Sequence, residues 1–271
     1  MLRAEASGVA LGDREFLLST LLARPRHDLY LDSRPIPIQT ARRFLKLAHQ
    51  VQLGLPPEYA VRQAIFRELR LSVDRRVLIP RSETEGLVEL VLSRLRRLPQ
   101  ATGPYRVLDL GTGSGAIALS LAWELGVRVL ATDISSAALA VARRNARQLG
   151  LQDRVEFRKA DLFVGLDCPR ESFDCIVSNP PYVRNSILPH LPASVRDYEP
   201  HIALRGGADG MTCVGRILSQ AARYLRPNGF VALEIDPSIE QSIRDRFPRL
   251  TVLKDLSGLS RYVLGEKPQL C

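Results

Sequence analysis

Two clusters in this 271-residue chain have the residue types and spacing to do chemistry. The first is Asn179-Pro180-Pro181-Tyr182, which ends the apolar, β-rich run FDCIVS. The Asn179 side-chain carbonyl can accept one hydrogen of a planar –NH₂, the Pro180 backbone carbonyl can accept the other, and the two prolines hold the turn rigid. A planar amide or aniline-type nitrogen is a poor nucleophile because its lone pair is delocalised. Holding both hydrogens while the nitrogen turns tetrahedral localises that pair towards an electrophile, an interaction that tightens in the transition state. Tyr182 can cover the flat face of the group and align it. Asn179, Pro180 and Tyr182 are thus candidate catalytic residues. Together with Pro181 they form a candidate substrate clamp for methylating a planar –NH₂.

The second cluster is VLDLGTGSGA, which places Gly111, Thr112, Gly113, Ser114 and Gly115 between a strand and a helix. Glycines there let a ligand approach the backbone, and the helix N-terminus offers free N–H groups. Asp133 ends the next strand about 20 residues on, where a carboxylate can accept both hydroxyls of a ribose. The pair points to an adenosine-containing cofactor. Gly111, Gly113 and Ala116 also satisfy the dinucleotide pattern G-x-G-x-x-G/A. Asp109, inside the strand, tilts the reading towards S-adenosylmethionine, because it can orient the loop and a cofactor ammonium but would repel a pyrophosphate. Asp161 follows the third strand, where it either accepts from the adenine amine or serves as a turn residue, with Leu162 beside the ring.

Bulk properties narrow the class. The hydrophobic fraction of 45% and charged fraction of 25% are ordinary for a globular protein. No apolar run reaches the roughly 20 residues of a membrane span, and the charged first residues do not read as a secretory signal. A cytoplasmic protein is expected. Cys168, Cys175, Cys213 and Cys271 have no paired metal-ligand spacing, so no metal site or disulfide framework is expected. The net charge of +9 is spread along the chain, with small knots at ARRFLK, RLRR and ARRNAR that lack aromatic interleaving. Direct nucleic-acid binding is therefore not expected.

These residues need a scaffold to bring them together. Apolar spacing predicts helices between about Arg14 and Leu53, with Phe16, Leu17, Thr20 and Leu21 on one face. IFRELRLSVDRRVLIPR reads as two short strands around a turn near Asp74. A helix then starts at the acidic SETE. Beyond it strands and helices alternate: YRVLDL, GAIALSLAWEL, RVLATD, SSAALAVARRNARQLG, RVEFRKAD, FDCIVS, MTCVGRILSQAARYL and GFVALEI. Alternation predicts a doubly wound, mostly parallel sheet, and LTVLKDL with SRYVLGE predicts an antiparallel edge pair.

Several families use NPPY: DNA adenine-N6, rRNA guanine-N2 and glutamine-N5 methyltransferases. The wider motif set discriminates. VLIPRSETEGLVE, VLDLGTGSGAIALSLA, IVSNPPYV, YEPHIALRGGADGM, LEI and KDLSGLSRYV, in this order, resemble the HemK/PrmC family of release factor glutamine methyltransferases from about Leu55 to the end. The resemblance implies a class I S-adenosylmethionine-dependent methyltransferase fold over residues 83–271, a helical N-terminal substrate-docking domain over 1–64 and a hairpin linker over 65–82. It implies a monomeric enzyme that methylates the glutamine of the GGQ motif in release factors, with a ribosomal-protein glutamine or an exocyclic base amine as the alternative substrate. Gly111 to Gly115, Asp133, Asp161, Leu162 and Asn179 would line the cofactor site. Arg81, Glu83 and Glu85 would organise the wall between domains, and Phe66 would face the cofactor. Arg62, Ser82 and Asp236 depart from the family pattern, which has glycine, proline and glycine at these places.

Overall fold

The structure, a computed structural model, describes residues 8–31, 34–99, 104–166, 169 and 172–270. Its centre is a seven-stranded sheet: β3 (Arg106–Leu110), β4 (Arg128–Asp133), β5 (Val155–Lys159), β6 (Phe173–Ser178), β7 (Leu225–Glu234), β8 (Thr251–Lys254) and β9 (Ser260–Glu266), in the order β5-β4-β3-β6-β7-β9-β8. β3 to β7 pair in parallel, whereas β9 pairs antiparallel with both β7 and β8. Burial on both faces explains the nearly unbroken apolar runs. Alternate residues serve opposite layers: Val107, Val129, Cys175 and Phe230 on one side, Leu108, Leu130, Ile176 and Val231 on the other.

Helices cover both faces. α5 (Ser82–Arg97), α6 (Ala116–Leu125) and α7 (Ser136–Gln148) lie on the first, and α9 (Thr212–Tyr224) buries Val214, Ile217, Leu218 and Ala221 on the second. At the N-terminus α1 (Leu11–Leu22) and α3 (Ile38–Gln52) share a core of Val9, Leu17, Phe44, Leu47 and Ala48. Ser19, not Thr20, joins Phe16 and Leu17 as a buried residue of α1, its hydroxyl donating to the Phe16 carbonyl. Cys168 and Cys271 lie outside the described residues. No helix among the described residues is long and apolar enough to cross a membrane.

The hairpin corrects one expectation. Its strands are β1 (Gln63–Phe66) and β2 (Leu69–Ser72), paired from Gln63↔Ser72 to Phe66↔Leu69, so the turn is Arg67-Glu68 and not near Asp74. The short helix Pro57–Val61 ends on Arg62 in a left-handed conformation, which starts the strand at once. Asp74 makes a second turn, accepting from the Arg76 N–H at 3.1 Å. Arg67 stitches the hairpin to α5 and α6: its N–H donates to Glu85 at 2.8 Å, and its guanidinium to Glu124 at 2.5 and 2.8 Å.

Candidate active site

The strand order reverses between β3 and β6, which pair directly through Val107↔Cys175 to Asp109↔Val177. Ligands of open α/β sheets sit beyond the carboxyl ends of strands at such a switch. The loops that follow these two strands are the glycine loop and the Asn179–Tyr182 turn. They flank a cavity of about 620 Å³, whose wall includes Gly111 to Ser114, Asp133, Asp161, Leu162, Asn179 and Pro181.

The loop's shape follows from its residues. Gly111, Gly113 and Gly115 all have positive φ, and at Gly111 and Gly113 a Cβ would meet nothing within 4 Å, so the space over the loop is open. Gly115 lies behind this wall at the start of α6, where a Cβ would press on Leu119 at 3.0 Å. Asp133 braces the loop: its Oδ2 accepts from the Gly113 N–H at 2.9 Å and its Oδ1 from the Ser135 N–H at 2.8 Å. Burial raises the Asp133 carboxyl, and these backbone donors oppose the rise. Asn145 of α7, fully buried, ties the loop to the hairpin. Its Nδ2 donates to the Ser114 and Ser72 carbonyls at 2.9 and 3.0 Å, while its Oδ1 accepts from the Ser72 N–H at 2.8 Å.

Three of the expected residues have surroundings that the sequence did not show. Asp109 is fully buried beneath the loop and accepts from the Thr112 hydroxyl at 2.6 Å, so it shapes the loop without joining the cavity wall. Burial pushes its carboxyl up to about 7. Asp161 is on the wall, but Arg216 of α9 grips both its oxygens at 3.0 Å. An adenine amine there would share an ion-paired carboxylate. Phe66 does not face the cavity: the hairpin turns its apolar face, including Leu69 and Leu71, into the core under α5, where Phe66 is completely buried. Leu162 holds a positive φ of 53° on the cavity wall, a strained conformation for a non-glycine residue.

Around the NPPY turn, the structure adds two residues that sequence reading passed over. Thr84, in the first turn of α5, donates its hydroxyl to Glu234 Oε2 at 2.7 Å and accepts from Asn179 Nδ2 at 3.0 Å. Tyr182 donates its hydroxyl to the other oxygen, Glu234 Oε1, at 3.1 Å. Glu234 and Thr84 are 1% and 4% exposed. Glu234 belongs to the quoted LEI, and the signal was an acid ending a strand otherwise buried and apolar. Burial raises the Glu234 carboxyl; hydrogen bonds from Thr84 and Tyr182 and the Arg261 charge lower it, and Glu83 raises it. Tyr182 is raised by burial and by the Glu234 charge, so its hydroxyl stays protonated. Pro180 is buried under the turn, and neither it nor Tyr182 is part of the cavity wall.

Of the PRSETE residues, Arg81 lines the cavity and pairs with the buried Glu199, the glutamate of YEP. Glu83 and Glu85 do not line it. The Glu83 carbonyl accepts from the Tyr262 hydroxyl at 2.8 Å, and Glu85 holds the hairpin turn. Arg81 and Glu199 thus join the region before α5 to the loop after NPPY, over 118 residues of sequence.

A family described as "Methyltransferase domain" matches residues 102–250. A release factor glutamine methyltransferase of Moorella thermoacetica is 42% identical over 251 residues, covering 90% of this chain and 86% of that protein. A ribosomal protein uL3 glutamine methyltransferase of Bordetella pertussis is 42% identical over 209 residues, 77% of this chain and 68% of that protein. Among solved structures, a methyltransferase from Pyrococcus furiosus matches with a TM-score of 0.51 at 20% identity, over 74% of this chain and 90% of that one, a likeness of fold. Sheet order, the two loops at its switch point and these identities agree: the chain belongs to the HemK/PrmC family of release factor glutamine methyltransferases and has their class I methyltransferase fold.

Proposed function

We propose that this chain acts in the cytoplasm to transfer a methyl group from S-adenosylmethionine to the side-chain amide nitrogen of the glutamine in the GGQ motif of release factors. The observation that carries the reading is the Asn179 amide. Its Nδ2 is taken up by Thr84, and among the described residues nothing donates to its Oδ1, so an acceptor for a planar –NH₂ remains beside the glycine loop. Pro180 supplies the second acceptor through its backbone carbonyl, and the paired prolines keep the two oxygens in register.

The cavity suits the cofactor. Its volume of about 620 Å³ falls within the roughly 300–1,000 Å³ of small-molecule sites. The glycine loop leaves room where side chains would stand, and Asp133 offers a carboxylate at the ribose position. Gly111 to Ser114, Asp133, Leu162 and Asn179 would hold the group, with Gly115 setting the loop from behind and Asp161 sharing its carboxylate between Arg216 and the adenine edge. Bound there, S-adenosylmethionine supplies an electrophilic methyl group. The protein's own work is to fix both hydrogens of the glutamine amide and free its nitrogen lone pair, an interaction stronger in the transition state than before it. No side-chain base has to act first, because the nitrogen becomes acidic as it is alkylated.

The test is radiolabelled methyl transfer to unmethylated release factor, beside the same factor with its GGQ glutamine changed to alanine. Label on the first and none on the second is expected. Asn179→Ala should lower kcat at least ~100-fold, the scale of one lost transition-state partner. The uL3 relative motivates a second arm with unmethylated ribosomal protein. Label there, and not on the release factor, would transfer the clamp to that substrate.

A further inference from the structure

We propose that Thr84 and Glu234 are positioning residues that decide which end of the Asn179 amide faces the substrate. The proposal deepens the reading of Asn179 as the amide clamp and rests on it. Three separate elements meet here: Glu234 at the end of β7, Thr84 in the first turn of α5 and Asn179 just after β6. An amide side chain is nearly symmetric in shape, so packing alone discriminates poorly between its two orientations. Hydrogen-bond polarity discriminates strongly.

That polarity runs one way from Glu234. Its two carboxyl oxygens each accept from a hydroxyl, Oε2 from Thr84 at 2.7 Å and Oε1 from Tyr182 at 3.1 Å, so both hydroxyls turn their hydrogens to it. Thr84 has one hydrogen, already directed to Glu234, and therefore offers Asn179 only lone pairs. The –NH₂ end of Asn179 must take that place, at 3.0 Å. Reversing the amide would set Oδ1 against the Thr84 oxygen with no hydrogen between them. It would also present N–H groups to a substrate –NH₂, two donors facing each other. The charged groups around the carboxylate are Glu83 and Arg261, and Arg261 also pairs with Asp255 at 3.1 Å. The Tyr262 hydroxyl is turned to the Glu83 carbonyl and leaves Glu234 to Thr84 and Tyr182. With Glu234 and Thr84 almost sealed from solvent, water does not compete for these bonds.

The experiment is a double-mutant cycle on the full chain with unmethylated release factor as substrate. Thr84→Val keeps the side-chain shape and removes the hydroxyl; Thr84→Ser restores it; Asn179→Ala removes the amide; the fourth protein carries Thr84→Val and Asn179→Ala. Thermal unfolding and calorimetric binding of S-adenosylmethionine report on the fold and the cofactor site. Thr84→Val should lower kcat about 10- to 100-fold with the KM for release factor changed less than about three-fold, and Thr84→Ser should recover kcat to within about three-fold. In the Asn179→Ala background, Thr84→Val should lower kcat by no more than about two-fold, because it acts through a group already gone. Should Thr84→Val not fold, Thr84→Ala leaves space instead of bulk and carries the same comparison. Losses that multiply across the cycle, or wild-type kcat in Thr84→Val while Asn179→Ala is inactive, would overturn the positioning role alone. Full activity of Asn179→Ala would overturn the clamp and the positioning role together.

Discussion

Gly206 offers the sharpest test of how the NPPY turn is held. It lies in the RGGADG stretch, which runs beside the turn: the Gly206 N–H donates to the Val183 carbonyl at 2.7 Å, and the Val183 N–H to the Leu204 carbonyl at 3.0 Å. A Cβ on Gly206 would stand 2.5 Å from the Tyr182 carbonyl carbon, 2.7 Å from the Tyr182 Cα and 2.9 Å from the Gly210 Cα. Ordinary contact begins at 3.4 Å, so Gly206→Ala requires a displacement of 3.4 − 2.5 = 0.9 Å. All three neighbours are backbone, and no flexible side chain can yield. Overpacking of this kind costs about 1–3 kcal/mol, and the rigid surroundings put Gly206→Ala at the upper end. That corresponds to a fall in Tm on the order of 5–10 °C. A misplacement of about 1 Å at a reacting centre costs about 100-fold in rate, so kcat/KM should fall by that factor. The Kd for S-adenosylmethionine should change less than about three-fold, because the glycine loop and Asp133 stand on other strands. Gly215→Ala is the control: it lies in α9 with nothing within 4 Å of its Cβ and should raise stability by about 0.5–1 kcal/mol. Wild-type Tm and kcat/KM in Gly206→Ala would show that this loop does not set the position of Tyr182.

Asp109 and Arg62 provide two stability tests. The Asp109 carboxyl, ordinarily near 3.8, is pushed up to about 7 by burial, so the folded state holds a proton that the unfolded state releases. Its favourable contribution is fully present below about pH 4 and is lost as pH rises to about 7. Asp109→Asn should flatten that fall and raise the unfolding free energy at pH 8, by at most about 4 kcal/mol; an unchanged pH profile in urea titrations would refute it. Arg62 caps a helix at φ 59°, where a side chain is crowded and glycine is not. Arg62→Gly should raise stability by about 0.5–1 kcal/mol in the same titration, and a loss would mean the arginine side chain contributes more than its backbone strain costs.

The sheet was legible because its causes are local. Runs such as VLDL and DCIVS carry their own apolar character, and each is closed by turn-forming residues, Gly111 after the first and Asn179-Pro180 after the second. Gly111 and Asn179 could therefore be placed at strand ends before any contact was known. What stayed hidden depends on partners far along the chain. Thr84 meets Asn179 across 95 residues and Glu234 across 150, and Asn145 reaches Ser72 across 73. No periodicity records such pairings. The same limit explains Asp161. A carboxylate after the third strand is a sound candidate for an adenine amine, but only the fold brings Arg216 of α9 against it. Asp109 was read from its place inside the strand as orienting the loop and a cofactor ammonium; the first is seen in its bond from Thr112, while complete burial keeps it off the cavity wall. The hairpin turn was misplaced because Asp74 is a stronger turn former in isolation than Arg67. Arg67 turns at φ 51° because Glu85 and Glu124 hold it there.

The three departures from the family pattern, met at the level of atoms, are local answers to backbone problems. Arg62 stands where glycine would relax a left-handed cap. Ser82 opens α5, where proline would fix φ; its hydroxyl instead donates to Glu83 at 3.0 Å. Asp236 replaces a glycine with a residue that accepts from the Ser238 N–H at 2.9 Å and so caps the turn at Pro237–Ile239. None of the three hydrogen-bonds to Asn179, Thr84 or Glu234. Asp236 comes nearest in effect, since its charge is among those that raise the Tyr182 hydroxyl. That effect is in the same direction as the larger one of Glu234, so it reinforces a protonated Tyr182 and leaves the hydrogen-bond polarity at Asn179 as it was. In the clamp proposed for Asn179, selection for a planar –NH₂ depends on that polarity. Departures that alter caps and turns can therefore change loop stability, and through it the fit of a partner, while the preference for an amide nitrogen stays with Asn179.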